Sequence, residues 1–108
     1  MEDHPELECR AVFTDGTARI IPIGEIDLGS VALVAARLED ACAVGAHVVL
    51  DLCQTTFIDS AGLHLAVEWQ ERARRERFSF VLADVSAPVR RAIDVAGVGA
   101  MLTCVATT

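Results

Sequence analysis

The chain has 108 residues, 53% of them hydrophobic and 23% charged, with a formal net charge of −7. That length suits one domain with a core that needs no metal or disulfide. The apolar content excludes disorder, and the acidic balance excludes the basic patch of a duplex-binding surface.

No apolar run approaches the roughly 20 residues of a membrane span. The start, MEDHPELE, is acidic and lacks the basic and apolar regions of a signal peptide. The expectation is a cytoplasmic protein with neither a membrane nor nucleic acid as direct partner. Its charge suits a protein partner with basic elements. Cys9, Cys42, Cys53 and Cys104 have no CxxC spacing, and none adjoins a histidine. They read as buried free thiols, with no metal site.

Residues 1–7, with Pro5, read as a frayed terminus. Glu8–Phe13 alternates as a first strand, and Asp15-Gly16 is a hairpin turn signal. A second strand follows over Ala18–Ile23. Pro22 cannot donate to a ladder, so this strand is expected at an edge or irregular there. Gly24-Glu25-Ile26-Asp27 ends the strand and opens a helix, with Asp27 as its N-cap. Val31, Val34, Ala35, Leu38 and Cys42 recur at helical spacing before Gly45.

His47–Leu52 is almost continuously apolar, as a strand covered on both faces would be. Gln54-Thr55-Thr56 reads as a polar link. Phe57 and Ile58 then deliver Asp59-Ser60-Ala61-Gly62-Leu63 to a second helix. Its stripe is Leu63, Ala66, Val67, Gln70 and Ala73. Leu65 and Trp69 form an adjacent stripe, expected either as an exposed protein-binding anchor or as packing. Phe78–Leu82 is a fourth strand. Asp84 or Ser86 caps a third helix, with Pro88 in its first turn and Val89, Ala92, Ile93 and Ala96 inward. Gly97 ends it, and Met101–Val105 is a last short strand.

The fold class is therefore α/β, one domain over 1–108. Its mixed sheet of four to five strands is flanked by helices in the order β-β-α-β-α-β-α-β.

Ser60 follows a strand and opens a helix, where sites are built in open α/β sheets. Its hydroxyl can accept from the first helical N–H groups or stand exposed. A phosphate there would sit at the positive end of the helix dipole. It would add about −1.5 to −2 charge beside Asp59, with Asp27 near if both junctions share one sheet edge. Spacing alone favours the simpler reading of Ser60 as a helix cap. Nucleophilic catalysis lacks support, because DSAGL is not a G-x-S-x-G elbow. Of His4, His47 and His64, none is a base evidently oriented by an acid. His64 shares a helical face with Ser60, but no oxyanion site accompanies it. With no phosphate-binding loop either, neither enzyme nor cofactor is expected.

In combination, GEID at 24–27, VVLDL at 48–52, FIDSAGL at 57–63 and VRRAIDVAGV at 89–98 resemble the STAS domain. More narrowly they resemble the bacterial anti-sigma factor antagonists, over about residues 8–105. The resemblance implies a regulator of transcription that works by partner switching. Unphosphorylated, it binds an anti-sigma factor with GHKL-type serine kinase activity and frees a sigma factor. Phosphorylation of Ser60 switches it off, and a serine phosphatase restores it. The partner-binding residues implied are Asp27, Asp59, Ser60, Ala61, Gly62, Leu63 and His64. Two positions depart from the family. Ala61 stands where many members carry Ser or Thr, and His64 where many carry Gly. The short C-terminus would shorten or omit a final helix. The alternative is a constitutive interaction or scaffold module in which Ser60 is not phosphorylated.

Overall fold

The second strand outruns the third, and this mismatch shapes the sheet. The structure, a computed structural model, describes residues 7–106. The expected frayed segment, apart from Leu7, lies outside the described residues, as does His4. Strands β1 (Glu8–Thr14) and β2 (Thr17–Ile26) form an antiparallel hairpin. Asp15 and Gly16 turn it with φ of 51° and 80°, the left-handed pair a two-residue hairpin needs.

Helix α1 (Val31–Ala43) leads to β3 (His47–Asp51), which pairs in parallel with β2 from Thr17 to Ile20. Beyond Ile20 the two strands part, and β2 runs on to Ile26 with that side free. A further strand, β4 (Thr55–Ile58), fills the place, pairing in parallel with Gly24–Ile26. Two of the three residues of the expected polar link are thus strand, and among the described residues the sheet has six strands rather than four or five. Thr55 is only 1% exposed, and its hydroxyl donates to the Pro22 carbonyl at 3.1 Å. A polar residue is tolerated there because its hydrogen bond is made.

Pro22 lies in an interior strand, not an edge one. It occurs where β2 has left β3 and not yet met β4, with a register shift following at Gly24 and Glu25. Of the two alternatives the proline left open, an edge strand or a local irregularity, the structure has the irregularity.

Helix α2 (Ser60–Glu76), β5 (Phe80–Ala83), α3 (Ala87–Ala96), a 3₁₀ turn (Gly99–Met101) and β6 (Cys104–Val105) complete the chain. The main sheet order is β1-β2-β3-β5-β6. Register aligns Ala18, Val48 and Phe80 in one row and Ile20, Leu50 and Leu82 in the next, all buried. Helix α1 packs on β1–β3, α2 on β4 and β5, and α3 on β4. Arg19, Val49 and Val81 form the row between and are only partly buried, so the second face of β3 is less covered than its sequence suggests. On that face Arg19 bridges Asp51 at 2.8 Å and Asp84 at 3.0 Å.

Trp69 is 4% exposed, with Leu65 also buried, so their stripe belongs to the core rather than to an exposed anchor. The indole meets the Phe78 ring edge-on and lies near Phe80, while the Arg72 guanidinium stacks over it at 4.6 Å. The residues of the expected α3 stripe divide. Val89 and Ile93 are buried and Ala92 partly so, but Ala96 is exposed in the last turn. Ser86, not Asp84, precedes α3 as its N-cap, and its hydroxyl donates to the Thr55 carbonyl at 2.6 Å. All four thiols are free. Cys53 is exposed rather than buried, because it lies past the end of β3 where the chain turns outward.

Candidate functional site

The parallel pairing of β2 and β4 sets Glu25 opposite Phe57 and Ile26 opposite Ile58. Both chains then leave the sheet at the same edge, so Asp27 and Asp59 emerge side by side. The Asp59 N–H donates to the Ile26 carbonyl at 3.1 Å, which ties the two exits together.

Asp59 is the N-cap of α2. Its Oδ1 accepts from the N–H groups of Ala61 at 2.9 Å and Gly62 at 3.3 Å. Its Oδ2 accepts from the Leu28 N–H across the gap at 3.2 Å. The cap is therefore the aspartate, and Ser60 is the first helical residue. Its side chain is exposed, and its hydroxyl has no hydrogen-bond partner among the described residues. The simpler reading of Ser60 as a cap is corrected by this geometry. A carboxylate one residue earlier already holds the N–H groups that a serine cap would take.

Asp27 organises the other exit. Its Oδ1 accepts from the N–H groups of Gly29 at 3.0 Å and Ser30 at 3.1 Å. This capping pattern closes a turn, and α1 itself begins three residues later than expected, with Ser30 as its N-cap. The Ser30 side chain makes no cap bond. Its Oγ instead donates to the Glu25 carbonyl at 2.8 Å and accepts from the Asp27 N–H.

Gly62 and Leu63 turn inward. A Cβ on Gly62 would lie 2.5 Å from Ile58 Cγ1 and 2.9 Å from Ile26 Cγ2. Only a glycine lets the first turn of α2 sit this close to the strand ends. Leu63 joins the core. These two residues place the site rather than face solvent.

A groove of about 660 Å³ runs between the starts of α1 and α2. Asp59, Ser60, Ala61, His64, Leu65 and Glu68 form one wall. The other is Leu28 with Val31, Ala32 and Ala35 of α1. Of the residues singled out in the sequence, the fold gathers Asp59, Ser60, Ala61 and His64 here. Asp27 does not line the groove. Leu28 was missed, although it is 80% exposed. The available signal was an apolar residue directly after GEID, outside any apolar stripe. The α1 wall was also missed, because Val31 and Ala35 read as core positions. They do pack against the core, at its border.

The groove is therefore apolar along one side and acidic along the other, and the acidic side carries the Ser60 hydroxyl, which has no hydrogen-bond partner among the described residues. Such a surface can dock a protein segment. Among its described lining residues no nucleophile is paired with an oriented base.

The STAS domain family model matches residues 9–108. No curated protein sequence matches the chain significantly. Three solved structures are similar. One is the anti-sigma factor antagonist SpoIIAA in its unphosphorylated form, at 21% identity over 94% of this chain and 89% of that one, with a TM-score of 0.74. The second is the Bacillus cell fate determinant SpoIIAA in the phosphorylated form, at 21% identity over 94% and 91%, TM-score 0.68. The third is an anti-sigma factor antagonist from Mycobacterium paratuberculosis, at 20% identity over 96% and 90%, TM-score 0.76. At these identities the likeness is one of fold. With the family model spanning almost all of the sequence, the chain belongs to the STAS domain family.

Proposed function

We propose that this protein is an anti-sigma factor antagonist, a cytoplasmic bacterial binding protein rather than an enzyme. Unphosphorylated, it docks an anti-sigma factor with GHKL-type serine kinase activity through the groove, and the sigma factor is released. The kinase transfers a phosphoryl group from ATP to Ser60, which lowers affinity, and a serine phosphatase removes it. The supporting observation is the Ser60 hydroxyl: exposed, unbonded, and set in the wall of an apolar groove by a helix whose cap is already satisfied. Similarity to structures of SpoIIAA in both phosphorylation states supports the same reading.

The electrostatics supply the mechanism. Asp59 and Glu68 already make this wall acidic. A phosphate adds about −1.5 to −2 charge without disturbing a hydrogen bond of the fold. A partner already packed against this wall must accommodate the added bulk, and where its own carboxylates face the phosphate the like charges cost several kcal/mol, roughly a hundredfold or more in affinity.

The test is intact-mass analysis after incubation with candidate kinases and ATP, beside a Ser60→Ala control. One phosphate on the wild type and none on the control is the expected result. Equal labelling of the control would refute the site. Partner affinity unchanged by phosphorylation would favour the constitutive scaffold instead.

A further inference from the structure

His64 is exposed on α2 four residues after Ser60, and both line the same groove. Helical residues at this spacing stack on one face, with Cβ atoms roughly 5–6 Å apart. An anionic residue N-terminal to a cationic one is the stronger order, since it also suits the helix dipole. A phosphate on Ser60 and an imidazolium at His64 have that order. Among the described residues lining the groove, His64 is the only one able to carry positive charge.

The other charged groups around His64 leave it available. Asp59 is engaged with the N–H groups of Ala61, Gly62 and Leu28. Glu68 lies four residues after His64, in the weaker order for an ion pair. Glu39 of α1 reaches the adjoining groove, but Arg72 holds it at 2.8 Å. Arg72 and Arg75 also line that adjoining groove, roughly three to four turns along α2 from Ser60.

We infer that His64 is the intramolecular counter-cation of a phosphate on Ser60, drawing it along α2 across the groove wall. The inference rests on Ser60 being the modified residue. It makes the blocked state one of bulk as well as charge, because the phosphate is held on the groove wall between Ser60 and His64 instead of swinging free.

The test needs no kinase. Phosphoserine is installed genetically at position 60 of the full chain, and ³¹P NMR follows its titration in the wild type, His64→Ala and His64→Arg. Two charges at this spacing predict that the phosphate loses its second proton about half a pH unit lower with His64 than with Ala. Arg at the position lowers it as well. Superimposable wild-type and His64→Ala titrations overturn the pairing. That failure leaves Ser60 intact as a kinase target. Conversely, a kinase that ignores Ser60 defeats the switch while the pairing is still read directly from the spectra.

Discussion

Gly62→Ala tests the packing that holds the Ser60 junction in place. The added Cβ would meet Ile58 Cγ1 at 2.5 Å, with Ile58 Cδ1 and Ile26 Cγ2 both at 2.9 Å. Real Cβ contacts do not come so close, so something must move. Neither isoleucine can swing aside, because both are buried and β-branched side chains are stiff at χ1. Overpacking of this kind costs about 3 kcal/mol at the upper end of its usual range. Alanine recovers about 1 kcal/mol of helix propensity over glycine. The net expectation is a loss of about 2 kcal/mol, or about 10 °C in Tm for a domain of this size. Urea unfolding followed through the single tryptophan, Trp69, measures it. With a slope of about 1.5 kcal/mol/M, the midpoint falls by about 1.3 M. Gly29→Ala is the control, since its Cβ would lie at an ordinary 3.5 Å from Asp27 Oδ1. A Gly62→Ala chain as stable as the wild type would mean that the start of α2 has slack, and would refute the close-packing argument.

Other outcomes follow from the same contacts. Asp59→Ala removes the cap of α2 and the bond from Leu28, and thermal unfolding should register a loss of about 1–2 kcal/mol, whereas Asp59→Asn keeps the acceptor and stays within about 0.5 kcal/mol. Ser60→Ala and Ser60→Asp should each leave stability within about 0.5 kcal/mol, since the hydroxyl is exposed and unbonded; a larger loss would contradict its independence from the fold. Arg19→Ala leaves Asp51, 5% exposed, without its 2.8 Å partner. Because Arg19 is itself partly solvated, the expected destabilisation is about 2 kcal/mol, below the full cost of breaking a buried pair, and denaturant titration reads it. Cys53 is exposed, yet its hydrogen bond to Asp51, then partial desolvation and nearby carboxylates, push the thiol pKa up. Less thiolate is present at neutral pH, so iodoacetamide should modify it more slowly than a reference thiol peptide, with the rate rising through a midpoint above the usual thiol range.

The parts of the fold written in short-range chemistry were legible beforehand. Asp15-Gly16 forms its turn because the left-handed requirement is local, and the expected stripes hold their core at Val34 and Leu38 of α1 and at Leu63, Ala66 and Ala73 of α2, with the other stripe residues only partly buried. The Asp59-Ser60 junction stands at a strand exit for the same reason. What escaped was set by distant partners. Thr55 and Thr56 look like loop residues until Pro22 offers a carbonyl and β2 offers an unpaired side. Trp69, which the sequence leaves as either an exposed anchor or packing, is settled as core by Phe78 and Phe80 returning beside it from β5 and its approach. The groove was half visible. Its α2 wall lies in one continuous motif, while the α1 wall depends on which helix packs alongside, and no residue type marks that.

The site divides its labour among neighbours. Asp59 satisfies the helix end and ties α2 to the turn at Leu28. Gly62 sets how close the helix lies to the strands. Leu63 anchors it in the core. With capping, spacing and anchoring assigned to residues on either side, Ser60 carries none of them. A serine that capped its helix would tie modification to stability, because phosphorylation would alter the cap itself. One position later, the hydroxyl projects from the same rigid junction, but the fold makes no use of it. A phosphate there is felt mainly by whatever occupies the groove, and this independence is what a reversible switch on a marginally stable domain requires.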